Sequence, residues 1–169
     1  MIHTSKRVFI AAGGATLFYG MASLFNPGLR SAGAANRRSF AVTRTDEEWR
    51  KLLTPPQYAT LRKGQTERPF TSALNGEHRP GRFTCAGCQA DLFNASAKFD
   101  SGTGWPSFWQ ALPNAVLELS ETANPFYGTE VLCAHCGGHL GHVFNDGPKP
   151  TGLRYCMNGV ALGFKPGPA

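Results

Sequence analysis

Four of the chain's five cysteines stand in two C-x-x-C pairs, Cys85-Ala86-Gly87-Cys88 and Cys133-Ala134-His135-Cys136, with 44 residues between them. Two such pairs constrain a fold strongly because they can converge on one tetrahedral metal. Four thiolates at about 2.3 Å complete the coordination of a zinc ion, and a site closed in this way is structural. Two disulfides and a thioredoxin-like redox pair are the alternative uses of the same spacing. Gly87 and Gly137-Gly138 favour the metal, because tight ligand-bearing turns use residues that reach positive φ without steric cost. Cys156, in Arg154-Tyr155-Cys156-Met157-Asn158, stands outside the pairs. A spare thiol accompanied by histidines and an asparagine is a candidate nucleophile, against the plainer reading of an inert buried thiol.

The 169 residues, 41% of them hydrophobic, suit one modest core. Twenty glycines and twelve prolines predict a turn-rich chain with few long helices. The net charge of +6 falls to +3 without residues 1–34, which carry Lys6, Arg7 and Arg30 and no acid. Such a weak, dispersed charge argues against a nucleic-acid partner.

Residues 1–34 read as a targeting segment. Lys6-Arg7 precede an uncharged stretch from Val8 to Leu29, and Ala32-Gly33-Ala34 offers a small-residue cleavage site. Ser5-Lys6-Arg7-Val8-Phe9-Ile10 resembles a twin-arginine export signal with lysine in the first arginine position. The expectation is an exported, periplasmic protein. The alternative is an uncleaved membrane anchor, since the stretch approaches the 20 or so apolar residues that a span needs. Twin-arginine export carries folded proteins and would let zinc load in a reducing cytoplasm.

Residues 35–169 read as the folded domain. Thr45-Asp46-Glu47-Glu48 is a capping box that predicts a helix over Glu47–Leu53. Thr54-Pro55-Pro56 stops it and starts a second, running to about Lys63 and closed by Gly64. Trp49, Leu52, Leu53, Tyr58 and Leu61 are expected to pack these helices onto the core. Strands are predicted at Arg82–Cys85, Ala115–Leu119, Thr129–Cys133, Leu153–Cys156 and Val160–Phe164.

Two segments are chemically loaded. Phe99 to Trp109 is too glycine-rich for a strand and too aromatic for a solvent loop. Trp105, Phe108 and Trp109 in it suit either a core or an apolar pocket. Gly138 to Pro148 carries His139 and His142. Their H-x-x-H spacing lacks a third metal ligand, so the histidines are better placed for proton chemistry.

Taken together, Glu67-Arg68-Pro69-Phe70, the doubled C-x-x-C, Phe99-Asp100-Ser101-Gly102, Gly104-Trp105-Pro106-Ser107-Phe108, His139 to Phe144, Asp146-Gly147-Pro148 and Pro150 to Asn158 resemble the peptide-methionine (R)-S-oxide reductases, over about Asp46 to Pro166. The resemblance implies a mainly β fold of two small antiparallel sheets packed together, with short N-terminal helices and a structural four-cysteine zinc site. It implies Cys85, Cys88, Cys133 and Cys136 as ligands of one zinc, and Cys156 as the catalytic thiol. It implies that His139, His142 and Asn158 bind or protonate the sulfoxide oxygen, and that Trp105 receives the sulfoxide methyl group. Phe108 and Arg154 are further substrate-binding candidates, and Arg154 would also favour a thiolate. The implied partners are oxidised proteins bearing methionine R-sulfoxide and a thiol reductant, in a monomeric enzyme of protein repair and the oxidative stress response.

One departure bears on the cycle. Many members of that family carry a resolving cysteine where this chain has Thr103, so the sulfenic acid at Cys156 is expected to await an external thiol. Gly159 also replaces a frequent serine. A zinc-ribbon binding module would account for the cysteine pairs but not for Cys156 or the glycine–tryptophan loop. A peroxidase would account for Cys156 but not for histidines beside a methyl pocket.

Overall fold

Thr45 and Thr54 each start a helix by the same device. In both, the threonine hydroxyl accepts from the backbone N–H three residues on, and that residue's side chain, Glu48 or Gln57, accepts the threonine's own N–H. The helices are α1 (Asp46–Leu52) and α2 (Pro55–Lys63), the latter closed by Gly64 in a left-handed conformation. The second box joins Thr54 to Gln57, three residues on, beyond the Thr-Pro-Pro start signal. Trp49, Leu53, Tyr58 and Leu61 are buried as expected, but Leu52 is 52% exposed. The chain turns to an extended conformation at Leu53, so Leu53 takes the core position and its predecessor faces out. The computed structural model describes residues 38–124 and 126–168, and the expected export segment, residues 1–34, lies outside them. No helix among the described residues is long and apolar enough to cross a membrane.

The strands are β1 (Gly81–Cys85), β2 (Asp91–Asn94), β3 (Lys98–Phe99), β4 (Ser107–Phe108), β5 (Val116–Asn124), β6 (Gly128–Cys133), β7 (His139–Phe144), β8 (Arg154–Met157) and β9 (Leu162–Pro166). They form two antiparallel sheets, one ordered β2-β1-β9 and one ordered β3-β4-β8-β7-β6-β5. The mainly β, two-sheet fold with two short α-helices is thus as expected. Two local expectations fail. The segment from Phe99 to Trp109, judged too glycine-rich for a strand, contributes to β3 and β4 near its two ends. Val160 and Ala161 belong to a 3₁₀ turn, so β9 starts at Leu162.

Side-chain alternation places the core between the sheets. Phe83 on β1 and Phe93 on β2 meet Phe108 on β4. Phe93 stacks on Phe108 with ring centroids 4.3 Å apart, and Phe83 meets it edge-on at 4.8 Å. Tyr155 and Met157, alternate residues of β8, are buried on this same side. Phe108 pairs with Tyr155 across β4 and β8, and directly opposed residues share a face. Phe108 is therefore a core side chain, fully buried, and the expected substrate contact at this position gives way to packing.

Phe108→Ala is expected to cost about 3–5 kcal/mol of unfolding free energy in urea titrations, the usual range for a buried aromatic. A loss below about 1 kcal/mol would remove Phe108 from the core.

Candidate active site and metal cage

Cys85 ends β1 and Cys133 ends β6, so each C-x-x-C turn grows from the end of a strand in a different sheet. The two turns are built alike. Cys85 N–H donates to Ala90 O and Gln89 N–H to Cys85 O, both at 2.8 Å. Cys133 N–H donates to Gly138 O at 2.8 Å and Gly137 N–H to Cys133 O at 2.9 Å. The positive φ falls on the residue after each pair, Gln89 at 63° and Gly137 at 67°. Gly87, expected to supply it in the first turn, is not among the positive-φ residues. A Cβ there would lie 3.5 Å from Leu61 and 3.6 Å from Trp49, so Gly87 sits at the packing of the turn against α1 and α2.

All four sulfurs lie within 4.8 Å of one another. Cys85 Sγ is 3.7 Å from Cys136 Sγ and Cys88 Sγ is 3.6 Å from Cys133 Sγ. Sulfurs bound at about 2.3 Å around a tetrahedral ion stand about 3.8 Å apart, whereas a disulfide needs about 2.05 Å. The cage therefore has the dimensions of a single-metal site, and all four cysteines are free thiols. Hydrogen bonding within the cluster holds Cys88 and Cys133 low and pushes Cys85 and Cys136 up. Four thiolates can share this space only with a cation among them.

The opposite face of β8 carries Cys156. Cys156 pairs with His142 on β7 and with Ser107 on β4, and Arg154 pairs with Phe144. Cys156, His142, Asn158 and Trp105 line one cavity of about 210 Å³, together with Thr66, Phe126, Tyr127, Gly141 and Phe144. A larger groove of about 690 Å³ along Thr60, Glu67 and Gly159 has no thiol or imidazole in its wall. The smaller cavity is the one with chemistry in it.

His139 does not line that cavity. Residues three apart on a regular strand point to opposite faces. Here the partner of β6 shifts from Gly141 at Val131 to His139 at Leu132, an irregularity that places Leu140 as an extra residue. His139 is thereby brought beside His142, with ring centroids 5.3 Å apart and nearly edge-on. Its Nδ1 lies 2.7 Å from Glu130 Oε1, while its buried Nε2 has no hydrogen-bond partner among the described residues. Burial pushes the His142 imidazole below the ordinary histidine range. His139 adds to this, and Glu130 opposes it.

Asn158 is buried and engaged at both ends. Its Oδ1 accepts Glu67 N–H at 2.9 Å and its Nδ2 donates to Leu140 O at 3.1 Å. Arg154 donates twice to Asp146, each bond 2.8 Å, and lies 4.2 Å over the Phe144 ring. Asp146 is the main cause of the upward shift of the guanidinium, with smaller contributions from the Cys156 sulfur.

Glu67, in the Glu67-Arg68-Pro69-Phe70 run, ties together several parts of the site. Its carboxylate accepts the N–H groups of Gly159 and Val160, the latter at 3.0 Å. Its carbonyl accepts the Trp105 indole N–H at 3.2 Å. One residue thus positions the indole, the asparagine and the turn after β8. No spacing rule could find it, because its partners lie 38 to 93 residues away. Trp105 itself follows Gly104, whose φ of 92° and close approach to Pro69 and Phe70, 2.8 Å from a notional Cβ, admit no side chain.

The model of the SelR domain matches residues 53–166. A peptide methionine sulfoxide reductase MsrB of Bradyrhizobium diazoefficiens is 54% identical over 126 residues, 74% of this chain and 91% of the relative. That of Thiobacillus denitrificans is 54% identical over 124 residues, 73% and 94% of the two chains. One from the archaeon Methanosarcina barkeri is 51% identical over 126 residues, 74% and 89%. The chain belongs to the SelR-domain family, that of the MsrB peptide methionine sulfoxide reductases.

Proposed function

We propose that this protein reduces the R epimer of methionine sulfoxide in oxidised proteins, with Cys156 as the attacking thiol and an external thiol as reductant. The observation that carries the reading is the meeting of the Cys156 sulfur, the His142 imidazole and the Trp105 indole in one small cavity. A sulfoxide sulfur becomes electrophilic as its oxygen is protonated. The Cys156 thiolate bonds to that sulfur, the oxygen takes a proton from the histidine side of the cavity, and methionine leaves with two more electrons than it brought. Oxygen then passes from the substrate sulfur to Cys156 as the S–O bond of the sulfoxide and the transient sulfur–sulfur bond break, which leaves Cys156 as a sulfenic acid. A first external thiol displaces water to form a mixed disulfide, and a second releases Cys156 as thiol. Trp105 and His142 give the cavity an apolar and a polar wall, for the methyl group and the sulfoxide oxygen respectively, which supports selection of one epimer. Phe126 and Tyr127, both largely exposed, line the mouth of the cavity and suit a side chain presented on a polypeptide.

The four-cysteine cage suits a structural zinc ion, which would hold the ends of β1 and β6 together. Cage and catalytic thiol are separate, so the metal takes no part in the chemistry. Residues 1–34 support export to the periplasm with the domain folded, or anchoring of the domain at the membrane.

The deciding experiment is turnover of chirally resolved methionine sulfoxide peptides with dithiothreitol. R is expected to be reduced and S left untouched, and Cys156→Ser is expected to abolish turnover with the metal retained. One turnover without reductant should leave Cys156 trappable by dimedone. An internal disulfide to Cys156 would instead identify a cage cysteine as the resolving thiol.

Elemental analysis is expected to find one zinc per chain. Cys85→Ser or Cys133→Ser should release it and lower Tm, because the energy of binding a structural metal is folding energy. Active protein free of zinc would overturn this assignment.

Trp105→Ala is expected to lower kcat/KM for the R epimer by about 10- to 200-fold, the span for losing a methyl-sized apolar contact. Unchanged kinetics in folded protein would return the indole to a packing role.

A further inference from the structure

Ser101, Thr103 and Ser107 form an unbroken line of hydroxyls that ends on the catalytic sulfur. Ser107 Oγ lies 3.1 Å from Trp105 O, Ser101 Oγ 2.7 Å from Ser107 Oγ, Thr103 Oγ1 2.8 Å from Ser101 Oγ, and Cys156 Sγ 3.7 Å from Thr103 Oγ1. Each hydroxyl has a single hydrogen to donate, so the line can be counted. It has four gaps. With Cys156 as thiol there are four hydrogens, and all gaps fill in one direction, from S–H through Thr103, Ser101 and Ser107 to the Trp105 carbonyl. With Cys156 as thiolate there are three. Thr103 can then donate to sulfur with any one of the three oxygen–oxygen gaps left empty, and the longest of these, 3.1 Å at Trp105 O, is the least costly to leave so; emptying it turns every hydroxyl round, so that Thr103 donates to sulfur, Ser101 to Thr103 and Ser107 to Ser101.

We propose that Thr103 is a positioning residue whose hydroxyl donates to the Cys156 thiolate, and that the Ser101–Ser107 pair behind it reverses direction when the sulfur loses its proton. No covalent bond changes in the reversal, and the proton lost by sulfur leaves on the cavity side. The inference rests on Cys156 being the attacking thiol, as proposed above. The charged and titratable groups around the sulfur are Arg154 with its partner Asp146, His142 across β7, the His139–Glu130 pair behind it, and Asp100 in the loop of Thr103. None of them is altered by the variants below.

The test is the rate of iodoacetamide alkylation of Cys156 at neutral pH, read by mass spectrometry of its peptide in the metal-loaded full chain. This reaction needs no sulfoxide, so failure of the relay and failure of the reductase reading are told apart. Thr103→Val, and Thr103→Ala as a second hydroxyl-free variant, are expected to react about tenfold more slowly, the low end for a hydrogen bond to an ion. Thr103→Ser should recover most of the rate. Ser107→Ala should react as fast as the wild type or faster, because Ser101 is then free to donate toward Thr103. A wild-type rate in both hydroxyl-free variants, a serine variant as slow as valine, or a Ser107→Ala variant as slow as Thr103→Val would each overturn the proposal.

Discussion

The convergence of four sulfurs from two sheets is the constraint on which the rest of the molecule depends. β1 belongs to the three-stranded sheet and β6 to the six-stranded one, and their cysteine-bearing ends meet at this cage. The short helices are bound into the same junction. Arg62 on α2 donates to Cys136 O at 3.0 Å and lies 4.9 Å over the Trp49 ring, while Val42 N–H donates to His135 O at 2.9 Å. A metal bound in this cage would suit a core this small, because it would hold residues far apart in sequence together without long helices.

From that junction the six-stranded sheet extends to β8, where structure and chemistry share four residues. Tyr155 and Met157 enter the core while Cys156 lines the cavity and Arg154, engaged by Asp146, lies over the Phe144 ring. The same alternation sorts Ser107 from Phe108 on β4. Burial of one face sets the register, and the register then aligns Cys156 with His142 on one side and Ser107 on the other. The Cys156 thiol is thus positioned by aromatic packing on the far side of its own strand.

The segment before β1 adds the second set of restraints. Glu67 joins it to the Trp105 loop, to Asn158 and to the turn after β8, so the indole and the asparagine are held from the same residue. Asn158 is correspondingly a brace between that segment and β7 as well as a wall of the cavity. Next to it Phe70 adopts φ 64°, uncommon for an aromatic residue, with its N–H donating to Gly104 O at 2.7 Å.

By itself the sequence determined the features that depend on local chemistry. The C-x-x-C spacings mark metal-binding turns because the two ligands of each turn are close in any conformation. The Thr45 box and Gly64 mark helix ends because capping involves residues three or four apart. Cys156 stands out by simple exclusion from the pairs. Tertiary structure decided what depends on faces and distant partners. Phe108 lies one residue from Ser107, and only the pairing of β4 with β8 determines which of the two meets the core. His139 and His142 share a side only because the β6–β7 register shifts between them. Glu67 acquires its role from partners 38 to 93 residues away and Thr103 meets Cys156 across 53, and no periodicity in the chain records a contact made across so many intervening residues.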